Sequence, residues 1–363
     1  MTSIPKNTVF HGNKIYTLAQ SRTGLGNPKT IEVFGKGSDL SNIEAMNGRA
    51  KCKTITRSLV LSMIDVAIER GDFHNVQPLW NTFHCQSDVI TSNGRLYGNY
   101  CKNRFCTLCN RIRKAGILNR YMPIIKQWPE PHFVTLTVKS VPGHKLKSFI
   151  ENGVLRAFYE IKDAQRQRFK RGKGIKLKGI KSIESNFNPI KKTYNPHLHI
   201  IVPDRETADL LRNEWIKKWT WDEVKYFMDR RRKDFIDPRA QDINKIKDLE
   251  KALIETVKYS GKIFTEPDPN NKKPKRLRKI YANALYIIFD AFKGHRVFDR
   301  FGFDLPKVED YEPELHELTD YKTWQFETCL CNWYSEERNE ILTDFSPPME
   351  LLQMITDIDI VMK

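Results

Sequence analysis

The segment Tyr194-Asn-Pro-His197-Leu-His199-Ile-Ile-Val202 decides the fold of this 363-residue chain. Its apolar, β-branched second half predicts a strand over Leu198–Val202 that follows a hairpin-like loop over 187–195. Because successive side chains of a strand point to opposite faces, His197 and His199 are predicted to share one face of a sheet.

Two imidazoles two residues apart on a strand can chelate one divalent ion. A second strand is predicted over Ile180–Asn186, and it places Glu184 where its carboxylate could complete a site with His197 and His199. Two nitrogens and one oxygen suit Mn²⁺ or Mg²⁺ with open positions for a phosphate. The sequence does not distinguish between the two ions. The alternative interpretation is that the two histidines lie on a polar sheet face that binds no metal.

The rest of the pattern predicts an α+β chain. A third strand is predicted over Phe133–Val138 from its β-branched content. Apolar residues recur at helical spacing in four other segments, whereas residues 1–50 show little periodicity and are predicted to be flexible. The predicted helices span 54–69, 145–170, 206–219 and 248–262.

A cysteine cluster precedes the predicted sheet. Cys106 and Cys109 form a C-x2-C pair, with Cys101 five residues before it and Cys85 sixteen residues further upstream. This spacing predicts a tetrahedral Zn²⁺ site made by the four thiolates, with His84 as the alternative to Cys85. Buried free thiols are the competing interpretation.

Three polar residues share one face of the last predicted helix. Glu255 and Tyr259 are four residues apart, and Lys262 follows Tyr259 by three. A tyrosine hydroxyl is a poor nucleophile at its ordinary pKa but becomes competent beside a metal-polarised phosphate and a cation. Taken alone, the pattern fits an amphipathic helix with a surface Glu–Tyr pair better than a catalytic site.

The charge of the chain is large and unevenly distributed. The net charge is +17, from 61 basic and 44 acidic residues, while residues 301–363 carry 4 basic and 15 acidic residues. The body therefore carries about +28, a value that indicates nucleic acid or an anionic surface as partner. A hydrophobic content of 40% excludes a disordered polycation.

Several classes of protein are disfavoured. No apolar run is long enough to span a membrane, and the first residues lack the apolar core of a signal peptide. We therefore expect a cytoplasmic protein with no membrane partner, in which clustered cysteines bind metal rather than form disulfides.

Taken in order, these motifs resemble those of an HUH endonuclease, and more closely the plasmid rolling-circle replication initiators with a single catalytic tyrosine. The resemblance covers roughly residues 80–265. It departs from the family at Thr107, where proline is usual, and at Asn195, where histidine is usual. It implies a central antiparallel sheet of about five strands with flanking helices, a small zinc-binding module and a helical C-terminal region. The implied divisions are 1–80 (flexible and helical), 81–125 (zinc knuckle), 126–265 (HUH endonuclease) and 266–363 (basic linker and acidic tail).

The resemblance also implies a mechanism. A divalent metal on His197, His199 and Glu184 would polarise the scissile phosphate of origin DNA. Tyr259 would attack it, giving a 5′-phosphotyrosyl intermediate and a free 3′-OH primer. Glu255 would activate water for the terminating cleavage, and Lys262 would balance charge near the phosphate.

Partners and alternatives follow from the same resemblance. A host helicase and a DNA polymerase are expected, and a homodimer stays open. The alternatives are an HUH transposase or relaxase and, from another class, a non-catalytic zinc-stabilised regulator that binds nucleic acid. The residues predicted to contact the DNA backbone are Arg104, Arg111, Arg113, Arg166, Arg168, Lys170, Arg171, Lys173, Lys176 and Lys178.

Overall fold

The structure is a computed structural model that describes residues 9–11, 14–18, 32–33, 39–219, 236–258, 274–306, 314–318, 320–349 and 351. The chain divides into two compact units. Unit 1 combines Met1–Ile112 with Lys307–Lys363, and unit 2 is Arg113–Pro306. Among the described residues, no helix is long and apolar enough to cross a membrane.

Fifteen strands are described, and most are short. The strands are β1 (Val9–His11), β2 (Lys14–Leu18), β3 (Glu32–Val33), β4 (Asp88–Ser92), β5 (Arg95–Gly98), β6 (His132–Thr137), β7 (Val141–Pro142), β8 (Gly179–Asn188), β9 (Thr193–Val202), β10 (Asp242–Lys245), β11 (Phe298–Phe301), β12 (Glu314–Leu318), β13 (Lys322–Glu327), β14 (Asn332–Ser335) and β15 (Glu340–Ile341).

The helices are α1 (Ile43–Glu69), α2 (Phe73–Phe83), α3 (Thr107–Ile125), α4 (Gly143–Phe149), α5 (Arg156–Lys170), α6 (Arg205–Lys218), α7 (Leu249–Lys258) and α8 (Pro274–Phe292). A π-helical segment, Ile150–Leu155, joins α4 to α5, so the predicted helix over 145–170 is interrupted once. A single 3₁₀ turn, Pro238–Ala240, precedes β10.

Unit 2 is built on an antiparallel sheet with the order β10-β6-β9-β8-β11 and with β7 paired to one end of β9. The predicted α+β class and the sheet of about five strands are confirmed. The strand that carries both histidines, β9, lies in the middle of the sheet between β6 and β8. Because β9 pairs with a strand on each side, both neighbours fix its hydrogen-bonding register.

The loop predicted over 187–195 is wrong in extent, because β8 and β9 stay paired as far as Asn188 and Thr193. The turn between them is only 189–192. Proline lacks the amide hydrogen that a central strand needs, yet Pro196 lies inside β9. It is tolerated because β6 pairs with β9 only up to His197 and β7 pairs only with its first two residues, which leaves a gap beside Pro196.

Helices cover both faces of the sheet in unit 2. On the face opposite the histidines, Phe158 of α5 packs edge-on against Phe301 with ring centroids 5.4 Å apart, and the indole of Trp215 in α6 donates to the Thr137 carbonyl at 3.1 Å. On the histidine face, Leu253 and Val257 of α7 are buried in one cluster with the sheet and the end of α3. The helix that carries Glu255 therefore packs on the same sheet face as the histidines.

Unit 1 differs from what the sequence predicts at both ends of the chain. Residues 43–50 were predicted to be flexible, but α1 begins at Ile43 with the Asn42 side chain accepting from the Ala45 amide at 2.9 Å. This cap satisfies a backbone donor that the first turn leaves free. The C-terminal region was predicted to be helical, and α8 (Pro274–Phe292) confirms this for its first part, but β13, β14 and β15 extend an antiparallel sheet that contains β4 and β5.

The two units also divide the chain differently from the predicted boundaries. Residues after 266 were assigned to a C-terminal region, whereas β11 pairs with β8 as an edge strand of unit 2. Residues after 306 join the N-terminal residues in unit 1. Trp324, Phe326 and Trp333 from the C-terminal strands form its core with Met46 and Ala50 of α1.

Candidate functional site

Three side chains converge on the histidine face of unit 2. Glu184 of β8 lies directly opposite His197 of β9 in the strand register, so the two side chains share a face. The Nε2 atoms of His197 and His199 each lie 3.2 Å from Glu184 Oε2. The strand alternation predicted from the sequence therefore brings these three residues together.

Neighbouring groups orient both rings. His197 Nδ1 lies 3.0 Å from the Asn195 carbonyl oxygen, and His199 Nδ1 lies 3.3 Å from the Thr135 hydroxyl. A carbonyl can only accept, so Nδ1 of His197 carries a proton and donates it. Its Nε2 then faces the Glu184 carboxylate, and a second ring proton or a cation must lie between those two atoms. The sequence marked Asn195 only as a departure from the family pattern, and Thr135 was not picked out at all.

The donor set fits a divalent cation. Ligands at adjacent corners of an octahedron with bonds of about 2.1 Å are about 3.0 Å apart, close to the 3.2 Å seen here. His197, His199 and Glu184 are only 5%, 7% and 8% exposed. Burial raises the pKa of Glu184, but contacts with the two histidines outweigh it and hold the pKa below its usual value. The carboxylate is therefore ionised at neutral pH and available as a ligand.

Of the three residues predicted on the last helix, only Glu255 is described. It is half-buried on α7, a helix whose Leu253 and Val257 are buried against the sheet. Tyr259 and Lys262 lie outside the described residues. Tyr259 is the residue that directly follows the end of α7 at Lys258.

The four predicted cysteines converge in unit 1. The Sγ atoms of Cys85 and Cys101 lie 3.6 Å and 3.5 Å from Cys109 Sγ, and the Cys109 amide donates to Cys106 Sγ. Four thiolates around Zn²⁺ with bonds of about 2.3 Å are about 3.8 Å apart, so the quartet fits this ion. Hydrogen bonds from the other three thiols lower the pKa of Cys101. His84, the alternative ligand, instead stacks on Trp80.

Two buried cations beside the quartet were missed by sequence reasoning. Lys53 is fully buried and its ammonium donates to the Cys85 carbonyl at 2.6 Å and to the Phe83 carbonyl at 2.8 Å. Arg49, 6% exposed, donates to the Gln86 side chain at 3.2 Å. Burial lowers the pKa of Lys53 to about 7 and that of Arg49 to about 10. A zinc ion with four thiolates has a net charge of −2, which two cations would balance.

Most of the residues predicted to contact the DNA backbone lie at the surface. The exposed members are Arg111, Arg166, Arg168, Lys170, Arg171, Lys173 and Lys176, while Arg104, Arg113 and Lys178 are half-buried. Arg168 is already paired with Glu214 at 2.8 Å. Lys181, which follows these residues on β8, is 1% exposed on the face opposite the histidines, so it cannot contact a phosphate.

Replacing Lys181 by Met should stabilise the protein. Its ammonium lies over the rings of Phe158 and Tyr159 and has no hydrogen-bond partner among the described residues. Burial lowers its pKa from 10.5 to about 8, so the charged form costs about 3 kcal/mol of folding free energy at neutral pH. The folded protein loses this proton before the unfolded chain does, and the cost therefore falls as the pH rises from 8 to 10.5.

Denaturant unfolding of wild type and Lys181→Met should therefore differ most near pH 7 and much less above about pH 9.5. Lys176→Met, at an exposed position of the preceding loop, is the matched control and should have no effect. A variant as stable as wild type at pH 7 would contradict the assignment of a buried, unpaired charge.

The family model of replication proteins (Rep_1) matches residues 95–302. A Protein rep from Streptococcus pneumoniae serotype 2 (strain D39 / NCTC 7466) is 30% identical over 183 residues, which are 46% of this chain and 52% of that protein. One from Staphylococcus aureus is 28% identical over 141 residues, 37% of this chain and 59% of that protein.

A Protein rep from Bacillus amyloliquefaciens is 24% identical over 262 residues, 63% of this chain and 74% of that protein. The chain thus spans little more than half the length of the first two relatives, and no solved structure matches it significantly. The matched range contains three of the four clustered cysteines, the histidine strand and α7. Because the family model covers more than half of the sequence, the chain belongs to the replication protein (Rep_1) family, in agreement with its resemblance to plasmid rolling-circle replication initiators.

Proposed function

We propose that this chain initiates rolling-circle replication as a metal-dependent HUH endonuclease that nicks one strand of origin DNA. The observation that carries the proposal is the buried cluster of Glu184, His197 and His199 on the central strands of the unit 2 sheet. Membership of a replication protein family supplies the biological context.

The cluster would hold Mg²⁺ or Mn²⁺, which acts as a Lewis acid on a phosphate oxygen when bound. The two imidazoles and the carboxylate would supply three ligands, fewer than such an ion takes, so a phosphate oxygen could also bind. Asn195 and Thr135 orient the two imidazoles, which would reduce the rearrangement that binding requires. The surrounding burial excludes bulk water and strengthens the interaction with a phosphate.

Tyr259 is proposed as the nucleophile. Its phenolic oxygen, after loss of the proton, forms a bond to phosphorus, and the bond from phosphorus to the 3′ oxygen breaks. The upstream strand leaves with a 3′-OH and the downstream strand stays attached through a 5′-phosphotyrosine. This linkage conserves the phosphodiester energy for a later rejoining step. The packing of α7 on the histidine face supports the assignment, because Tyr259 directly follows that helix.

Glu255 and Lys262 are proposed to complete the cycle. Glu255 is half-buried on α7 and is proposed to accept a proton from the water that attacks a second phosphodiester and ends replication. Lys262 would stabilise negative charge on the phosphate or the tyrosinate. A host helicase and polymerase would then use the free 3′-OH, and the zinc module and the exposed basic residues would hold the flanking DNA.

Cleavage of single-stranded oligonucleotides that tile the DNA around the gene tests the proposal. We expect one oligonucleotide to be cut in Mn²⁺ or Mg²⁺ with a covalent protein–DNA band, and no cut after addition of EDTA. Specific binding without any metal-dependent cut would favour the zinc-stabilised regulator. Cleavage only at the ends of a mobile element or at a transfer origin would favour the transposase or relaxase.

A further inference from the structure

The turn that joins β8 to β9 presents an unusual side chain to solvent. Ile190 is 91% exposed, the highest value among the large apolar residues of the described chain. It is followed by two exposed lysines, Lys191 and Lys192, and preceded by Pro189. Tight turns usually carry Gly, Asn, Asp or Ser rather than a β-branched apolar residue. A single exposed apolar residue is common on protein surfaces, so the surroundings of Ile190 determine whether its exposure indicates a function.

Two hydrogen bonds to one side chain stabilise the turn. Asn188 Oδ1 accepts from the amides of Ile190 and Lys191, both at 3.0 Å. Strand pairing continues to the last residue on each side, where Asn188 lies opposite Thr193. On its other side, Thr193 is paired with Pro142 of β7. The tip therefore projects from a stem that is hydrogen-bonded along its whole length.

Aromatic side chains brace the stem close to the turn. Phe187 packs on Tyr194 with ring centroids 5.0 Å apart and meets Tyr281 of α8 edge-on at 6.2 Å. Tyr194 is 3% exposed. A braced stem loses little further conformational freedom when its tip binds, which favours insertion into a partner.

The same two strands carry the cluster of Glu184, His197 and His199. Glu184 precedes Asn188 by four residues, about 13 Å along a strand. His197 follows Thr193 by four residues on the paired strand. A DNA strand cleaved at the cluster would therefore have its neighbouring base pairs within reach of the tip.

We propose that the 189–192 turn is a wedge that enters duplex DNA beside the nicked phosphate. Ile190 inserts between two base pairs and unstacks them, while Lys191 and Lys192 contact phosphates on either side of the step. Apolar side chains at the tip of a rigid, basic projection are the chemistry by which proteins kink and open a duplex. The proposal rests on the proposed function, since the occupant is the DNA that flanks the cleavage site.

The test separates duplex opening from cleavage. A duplex with 2-aminopurine at successive positions reports unstacking by a rise in fluorescence and needs no cleavage. The probe is the duplex form of the oligonucleotide that is nicked, or a random-sequence 30-bp duplex if none is nicked. We expect wild type to raise the fluorescence at one step and Ile190→Ser to lose most of that rise. Ile341→Ser is the matched control, because Ile341 is an exposed isoleucine in the acidic β14–β15 hairpin.

Cleavage then distinguishes the wedge from the active site. Ile190→Ser should cut the single-stranded oligonucleotide at the wild-type rate but cut supercoiled plasmid about 10-fold more slowly. Lys191→Ala with Lys192→Ala should reduce the slope of log affinity against log salt by about 2. Equal fluorescence for wild type and Ile190→Ser would overturn the wedge, whatever the cleavage data show. If wild type cleaves no substrate but still raises the fluorescence more than Ile190→Ser does, the proposed function is wrong and the wedge is still supported.

Discussion

Replacing His197 and His199 together by alanine should reduce single-strand nicking by at least about 10³-fold. The two Nε2 atoms, each 3.2 Å from Glu184 Oε2, are two of the three proposed ligands, and a lone buried Glu184 carboxylate cannot hold a divalent ion. Electron paramagnetic resonance of added Mn²⁺ should show bound ion in wild type and only free ion in the double variant. Glu184→Gln should weaken Mn²⁺ binding as well, because it keeps the shape but removes the charge.

His144→Ala is the matched control, because this histidine is exposed on α4 of the same unit. It should leave Mn²⁺ binding and nicking unchanged. The zinc content of the His197/His199 variant should equal that of wild type, because the cysteine quartet lies in the other unit. If wild type and the double variant bind Mn²⁺ equally well, the assignment of these residues as ligands is wrong.

Tyr259→Phe should abolish both nicking and the covalent protein–DNA band, again by at least about 10³-fold in rate. The change removes one hydroxyl and leaves the ring, so Mn²⁺ binding and DNA affinity should remain those of wild type. Gel electrophoresis under denaturing conditions, with radiolabel 3′ to the cut, measures the adduct directly.

Tyr159→Phe provides the comparison, since Tyr159 lies on α5, on the sheet face opposite the histidines. It should nick and form adduct at the wild-type rate. An adduct that persists in Tyr259→Phe would identify another residue as the nucleophile. Nicking without an adduct would indicate direct attack by water.

The convergence of Glu184, His197 and His199 was predictable because its geometry is local. Alternation along one strand places His197 and His199 on one face, and a neighbouring antiparallel strand offers only every second residue to that face. Glu184 could therefore be chosen from its own strand. The convergence of the four cysteines was predictable for a similar reason, since C-x2-C spacing is typical of thiolates that share one metal ion.

Features that depend on distant parts of the chain were not predictable. The strand β11 joins the sheet of unit 2 from beyond residue 290, and nothing in its own sequence names β8 as its partner. The extent of β9 was underestimated because proline is rare inside a central strand. Pro196 is accommodated only because neither β6 nor β7 pairs with β9 at that position. Arg49 and Lys53 lie on α1, and no local signal reveals that tertiary packing buries them beside the cysteines.

Mass spectrometry of the protein after incubation with its single-stranded substrate tests the central claim most directly. In Mn²⁺, the mass should rise by that of the downstream DNA fragment, and proteolysis should place the modification on Tyr259. In EDTA, and in the His197/His199 double variant with Mn²⁺, the mass should stay that of the unmodified chain. An adduct that forms equally in EDTA, or one that maps to a residue other than Tyr259, would contradict the account.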